Sequence, residues 1–238
     1  MRPEGFLTRP LYLQLRDALA ERIAGGEWKP GDVIPNEVDL ARELGVSQGT
    51  VRRSLDLLES EHVVTRRQGR GTFVLDPASP DLVGRYTSIF SDNGDRVVGE
   101  ISAVEVAQGA ADEKERKLLL LAPDAEVYRL RRIRSYRGNP FLVEQVILPV
   151  ALFPGVSERE WGSRWLTELA PSCGVLLAGA VENVTSSAAS ASTATALHVR
   201  EGTPVLILER LISTRDGKLA EWRRAECVLA GLQYKVVM

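Results

Sequence analysis

The stretch GVSQGTVRRSL, residues 45–55, decides how the first third of the chain is read. Ser47 suits a helix N-cap, because its hydroxyl can accept from a free backbone N–H of the first turn. Val51, Leu55 and Leu58 then recur at helical spacing and turn inward. Gln48, Gly49, Arg52, Arg53 and Asp56 fall around the other side. A glycine inside a helix costs roughly 1 kcal/mol relative to alanine, so Gly49 needs a reason. A helix N-terminus presents unpaired N–H groups and a partial positive charge, a natural seat for phosphate. Glycine removes the side chain that would hold such a terminus away from a nucleic-acid backbone or base edge. Arginine can pair with guanine and glutamine with adenine through two hydrogen bonds each. Ser47 and Thr50 can bond phosphates.

The flanking residues fit the same reading. Upstream, Leu11, Leu15, Ala18, Leu19 and Ile23 share one helical face. Pro10 suits its start and Gly25-Gly26 its end. Pro30-Gly31 is a turn. Asn36 caps a short helix carrying Val38, Leu40, Ala41 and Leu44, which Gly45 terminates. Two short helices joined by a tight glycine turn make a helix-turn-helix. Downstream, HVVTRRQGRGTFVL reads as strand, turn and strand, with Gln68-Gly69-Arg70-Gly71 at the tip. A basic hairpin in that place is a wing, in which Arg66, Arg67 and Arg70 flank two glycines. The candidate DNA-contacting set is Asn36, Glu37, Ser47, Gln48, Gly49, Thr50, Arg52, Arg53, Arg66, Arg67, Gln68, Gly69, Arg70, Gly71 and Thr72. Asp56, Glu59 and Glu61 stand ready to neutralise some of these arginines, and the charges of residues 1–75 balance.

Over the whole chain, 238 residues carry 44% hydrophobic and 26% charged side chains with a net charge of −2. That composition is ordinary for a globular protein, and any nucleic-acid surface on it must be a local patch. Two cysteines, Cys173 and Cys227, make no disulfide framework and suit a reducing compartment. The start, MRPEGFLTRPLYLQL, lacks the apolar core of a leader peptide. No apolar run approaches the roughly 20 residues of a membrane span. The expected location is cytoplasmic.

VLDPASPDLVGRY, residues 74–86, divides the chain by its two prolines, Asp76, Asp81 and loss of periodicity. The expected domains are residues 1–75 and 87–238, with residues 76–86 as linker. In the second domain, residues 110–121 read as a helix. EVYRLRRIRSY and PFLVEQVILP read as strands joined by the turn at residues 137–140. Ser157 caps a helix running to about Leu169. GVLLAGAVENV reads as a strand, and residues 186–198 as an alanine-rich helix. PVLILERLIST and KLAEWRRAECVL form a last hairpin around Asp216-Gly217. The expected architecture is α+β, a mainly antiparallel sheet with helices on one face.

Strand alternation places charge among apolar neighbours. Glu144 shares a face with Leu142, Val146 and Leu148, and Arg210 with Leu206, Leu208 and Ile212. Arg132 and Arg134 lie with Tyr128, Leu130 and Tyr136, and Glu221 and Arg223 with Leu219 and Cys227. An isolated buried charge is too costly to leave unpaired. These groups therefore pair with each other, line a polar cavity, or sit at exposed strand ends. A cavity holding both signs would suit a ligand with an anionic group plus hydroxyls or an amine.

The stretch from Pro10 to Val74 resembles the winged helix-turn-helix of the GntR family of bacterial transcription regulators, above all in KPGDVIPNEVDLA, GVSQGTVRRSL and RRQGRGTFV. It departs at Asn36-Glu37-Val38, where Ser-Glu-Arg is common and the arginine contacts DNA, and at Gln48-Gly49, where Arg-Thr is common. From about Asp81 onward the chain resembles the UTRA effector-binding domain of the HutC-type branch, which has a chorismate-lyase-like fold. The matching parts are LRRIRSYRGNPFLVEQVILPVALFPG, LHVREGTPVLILERLISTRDGKLAEW and Tyr234. That resemblance implies effector contacts at Arg132, Arg134, Glu144, Glu221 and Tyr234, with hydroxyls from TSSAASAST, Ser186 among them. Arg210 and Arg223 join the candidates from the strand faces. Leu232-Gln233 stands where relatives carry Asp-Arg.

The resemblance implies a homodimeric repressor whose partners are a double-stranded DNA operator and a small charged metabolite, with no cofactor and no membrane. Two other readings stay open: a second domain that only dimerises, or an enzyme related to chorismate lyase. His62 and His198 are each lone. No cluster has metal-ligand spacing, and no phosphate-binding loop is present.

Overall fold

A computed structural model describes residues 9–61, 63–76, 86–163 and 165–236. The chain forms two compact units, Met1–Leu82 and Val83–Met238. Most of the expected linker, and His62, lie outside the described residues.

The first unit runs α1 (Leu11–Ala24), β1 (Val33–Ile34), α2 (Glu37–Leu44), α3 (Gln48–Ser60), β2 (Val64–Arg67) and β3 (Gly71–Val74). Each boundary has a local cause. The Asn36 side chain accepts from the N–H groups of Val38 and Asp39, both at 3.0 Å. Gly45 ends α2 at φ 65, a conformation that costs glycine little. Ser47 Oγ accepts from the Thr50 N–H at 3.1 Å and starts α3. The strands pair antiparallel in the order β1-β3-β2. Leu15 and Leu19 of α1, Leu40 of α2, Val51, Leu55 and Leu58 of α3, and Ile34, Val64 and Val74 of the small sheet form one core. The Ser54 hydroxyl, buried in α3, lies 2.8 Å from the carbonyl oxygens of both Tyr12 and Thr50 and joins α3 to α1.

The second unit is built on long strands: β4 (Ile89–Ser91), β5 (Glu100–Ala110), β6 (Glu126–Tyr136), β7 (Asn139–Pro149), β8 (Leu177–Ala188), β9 (Pro204–Thr214), β10 (Leu219–Cys227) and β11 (Leu232–Tyr234). Six of them form an antiparallel sheet in the order β5-β6-β7-β10-β9-β8, and β11 pairs with β4. Its helices are α4 (Glu113–Leu119), α5 (Glu158–Ser163), α6 (Leu166–Ser172) and α7 (Ala191–Leu197).

Helices cover both faces of this sheet, not the one face expected. Tyr128, Leu130, Val146, Leu148 and Ile212 pack with Trp161 of α5 and Leu166 and Leu169 of α6. Val143, Val205 and Ile207 point the other way and pack against Ala194 and Leu197 of α7. The crossings that contain α5 and α7 leave the sheet on opposite sides, so each side gains its own apolar layer.

Three boundaries also differ from expectation. Ala110 closes β5 in a ladder with β6, and the following helix starts only after Asp112 and Glu115 form a reciprocal capping box. The Ser157-capped helix ends by Ser163, and a separate α6 starts after Trp165. Ser186 and Ser187 extend β8 opposite Leu206 and Val205, and the helix after them begins beyond Ser190, which caps it. Ladder hydrogen bonds with β9 outweigh the local helical preference of the alanines.

Leu55 is 1% exposed at the centre of the first core. Leu55→Ala is expected to lower the stability of that unit by about 2–5 kcal/mol, measured by urea unfolding followed by circular dichroism.

Candidate functional site

In the first unit the N-terminal turn of α3 points outward. Ser47, Gln48, Gly49, Arg52 and Arg53 are exposed, and Thr50 is half-buried. A Cβ built on Gly49 would meet nothing in the chain nearer than Ser47 Oγ at 3.9 Å. Internal packing therefore does not demand this glycine.

The two arginines are held differently. Arg52 Nε and Nη2 both donate to Glu37 Oε2, at 2.9 and 2.8 Å. The Arg53 guanidinium lies over the Tyr12 ring, 4.0 Å from its centroid. Asn36 is exposed beside Glu37 at the start of α2.

The hairpin tip turns through Gly69 at φ 69 and Gly71 at φ 111, with Arg70 N–H donating to Arg67 O at 2.9 Å. Arg67, Gln68 and Arg70 are exposed, and Thr72 is half-buried. Arg67 lies over Phe73. Arg66 is occupied within the unit. Its guanidinium pairs with Asp56, approaches Glu59 and Glu37 at 3.5 Å, and bonds the Arg52 carbonyl at 3.3 Å. It ties the wing to α3; among the described residues, Arg53, Arg67 and Arg70 of α3 and the wing have no acidic partner.

In the second unit the charged residues picked from strand alternation converge. Arg132 Nε reaches Glu144 Oε1 at 2.9 Å, because β6 and β7 place the two directly opposite. Arg134 forks onto the same carboxylate, with Nη2 at 2.8 Å from Oε2 and Nε at 3.1 Å from Oε1. Arg223 of β10 adds a third contact at 3.2 Å. Its other nitrogen donates to Glu182 of β8 at 2.9 Å, and Glu182 accepts from the Tyr234 hydroxyl at 2.8 Å. Arg210 and Glu221 pair beside them at 2.6 Å. The Trp165 ring lies under Arg134 and Arg132, at 4.4 and 5.2 Å. Ser186 shares the Glu182 face of β8 by alternation, but it is exposed and makes no hydrogen bond to the cluster.

Four arginines thus face three glutamates: Arg132, Arg134, Arg210 and Arg223 against Glu144, Glu182 and Glu221. Among the described residues the cluster carries one excess positive charge. Arg223 Nε is buried with no hydrogen-bond partner, a costly condition for a charged group. Burial alone would raise the Glu144 carboxyl, but the arginines, Arg134 first, outweigh it and hold the group well below the usual carboxylate range. Burial, with Arg210 close by, lowers the Arg223 guanidinium.

Glu182 and Trp165 escaped the sequence reading. Glu182 had a signal, since it alternates with Val184 and Ala180 along β8. Trp165 sits in a short connection between helices and had none. No group of three His, Cys, Asp or Glu side chains among the described residues could hold a metal ion.

Against this geometry stand the comparisons with known proteins. Residues 11–74 match the model of bacterial regulatory proteins of the gntR family, and residues 99–228 match the UTRA domain. The chain is 35% identical over 150 residues to the mannosyl-D-glycerate transport/metabolism system repressor MngR of Escherichia coli, a match spanning 63% of this chain and 62% of that protein. It is 27% identical over 229 residues to the HTH-type transcriptional repressor NagR of Bacillus subtilis, spanning 96% and 93%. It is 30% identical over 223 residues to an HTH-type transcriptional regulator of Mycobacterium tuberculosis, spanning 89% and 80%. Among solved structures, PhnF from Mycobacterium smegmatis superposes with a TM-score of 0.55 at 25% identity, covering 93% of this chain and 98% of that one.

Removing Glu144 would leave three arginines buried around an empty place. Glu144→Ala is expected to destabilise the second unit by about 3–5 kcal/mol, read by urea unfolding at neutral pH. Because the folded-state carboxyl is held below its usual range, its contribution is whole above that range and fades as pH falls through it. The difference between wild type and Glu144→Ala should therefore shrink below about pH 4.

Proposed function

The chain belongs to the GntR family of bacterial regulatory proteins, with a UTRA domain as its second half, and on that premise we propose that it is a homodimeric repressor released from its operator by a small anionic metabolite. Members of this family are transcriptional regulators, not enzymes, and the named relatives include repressors. DNA binding belongs to the first unit and effector binding to the UTRA domain.

The observation that carries the effector reading is the buried cluster, in which four described arginines meet three described glutamates and Arg223 Nε has no hydrogen-bond partner. A ligand carboxylate or phosphate would supply the missing acceptor and compete with Glu144 for Arg132, Arg134 and Arg223. Glu182 and Tyr234 offer acceptors and a hydroxyl to the polar remainder of the ligand. Arg210 and Glu221 extend the site, and Ser186 lies further along β8 on the Glu182 face.

In the first unit, Ser47, Gln48, Gly49, Thr50, Arg52 and Arg53 would enter the major groove. Asn36, Arg67, Gln68, Gly69, Arg70, Gly71 and Thr72 would follow the flanking backbone. Glu37 and Arg66 contribute by holding these groups in place. Two subunits would occupy the halves of a near-palindromic operator. Ligand binding releases DNA only if the ligand prefers a dimer arrangement that misplaces the two winged modules. Each unit has a core of its own. A bacterial transcription regulator acts where the DNA is, in the cytoplasm. No helix among the described residues is long and apolar enough to cross a membrane.

MngR is named for mannosyl-D-glycerate, a glycoside bearing a carboxylate, and this is the first probe to use. A panel of sugar phosphates and glycosyl carboxylates, screened by thermal shift, is expected to contain a compound that raises the melting temperature and releases bound DNA. Arg134→Ala should abolish both responses. A panel in which every anion fails, while DNA stays bound, would favour a second domain that only dimerises.

A further inference from the structure

Two neighbouring arginines on one recognition helix look interchangeable in sequence, but their surroundings differ in kind. Glu37 is half-buried at the first position of α2 and takes Arg52 through its Nε and Nη2, using one oxygen for both. Its other oxygen faces Arg66 of the wing at 3.5 Å. Arg52 itself remains 64% exposed at its side chain. Its Nε–Nη2 edge is occupied and its charge compensated, while Nη1 makes no bond among the described residues. The two terminal nitrogens of an arginine match the paired acceptors O6 and N7 of guanine. Arg53 has no acidic partner among the described residues. Its guanidinium lies over the Tyr12 ring at 4.0 Å from the centroid, which supports it from one side without compensating its charge.

We propose that Glu37 and Tyr12 are positioning residues that give the adjacent arginines separate tasks: Arg52 reads a guanine and Arg53 grips a phosphate. The inference rests on α3 being the recognition helix, and it adds what each arginine does there and which residue outside α3 sets it. A charge-compensated, pre-oriented guanidinium gains little from a phosphate, yet it keeps its hydrogen-bond geometry for a base edge. An uncompensated one does the reverse: it attracts any phosphate and carries no sequence information.

Full-length protein first selects its binding sequence from a random duplex pool, and the wild-type motif then serves as probe for the variants. E37Q and R52A are expected to lose preference at the same guanine, by roughly tenfold or more in discrimination. E37D keeps the charge but withdraws the carboxylate by one methylene, so it should lose preference at that same position. R53A should keep the motif, weaken binding to every duplex alike, and lower the slope of log affinity against log salt by about one. Y12L should follow R53A, and Y12F, which retains the ring, should restore what Y12L loses. Full discrimination by E37Q beside a defective R52A would overturn the role of Glu37 alone. Relaxed preference at one base in R53A would overturn the division of tasks. Wild-type binding by both R52A and R53A would instead remove α3 as the recognition helix.

Discussion

Glu144 is the fixed point of the second unit. It sits fully buried on the apolar face of a six-stranded sheet, and its ionised form is tenable there only because Arg132, Arg134 and Arg223 converge on it. That requirement fixes much else. It sets the register of β6 against β7, since Arg132 and Glu144 must lie opposite. It draws β10 into place through Arg223. Through Arg223 it reaches Glu182 on the edge strand β8 and Tyr234 on β11. One carboxylate thus links five strands, from an inner pair to the margins of the unit. On the proposed reading, a ligand that competes for these arginines would act on all of them together.

The first unit handles the same two charge types in the opposite way. The arginines of α3 and the wing are exposed or half-buried, so deep burial does not enforce their pairing. Here acids select which cations stay free. Asp56 and Glu59 hold Arg66 against α3, and Glu37 holds Arg52. Among the described residues of α3 and the wing, Arg53, Arg67 and Arg70 are the exposed cations without an acidic partner. An overall charge of −2 is compatible with a duplex partner because the patch is local and the helix terminus adds its own partial charge.

The parts of this architecture that were legible in the sequence are those set by local chemistry. Asn36, Gly45 and Ser47 each cap or end a helix through contacts within four residues, so their roles could be read directly. Glu144, Arg210 and Arg223 were legible because a charge that breaks an apolar alternation is conspicuous. What the sequence hid depends on distant partners. β5 is an exposed edge strand with a weak apolar pattern, so nothing in EISAVEVAQGA marks one face as inner. Ser186 and Ser187 look helical beside their alanines until β9 lies alongside. Arg66 looks like a wing cation until α3 supplies its acids. Helices on both faces follow from the side on which each crossing leaves the sheet, and no single stretch of sequence specifies that.

Reception of the effector's anionic group by the arginine cluster around Glu144 is tested most directly by 15N NMR of the arginine Nε–H signals, during titration with a compound that releases DNA. The expected result is that the signals of Arg132, Arg134 and Arg223 move together, with Arg223 Nε–H becoming protected from exchange. If DNA is released while all three stay in place, the cluster is a structural ion network and the effector binds elsewhere.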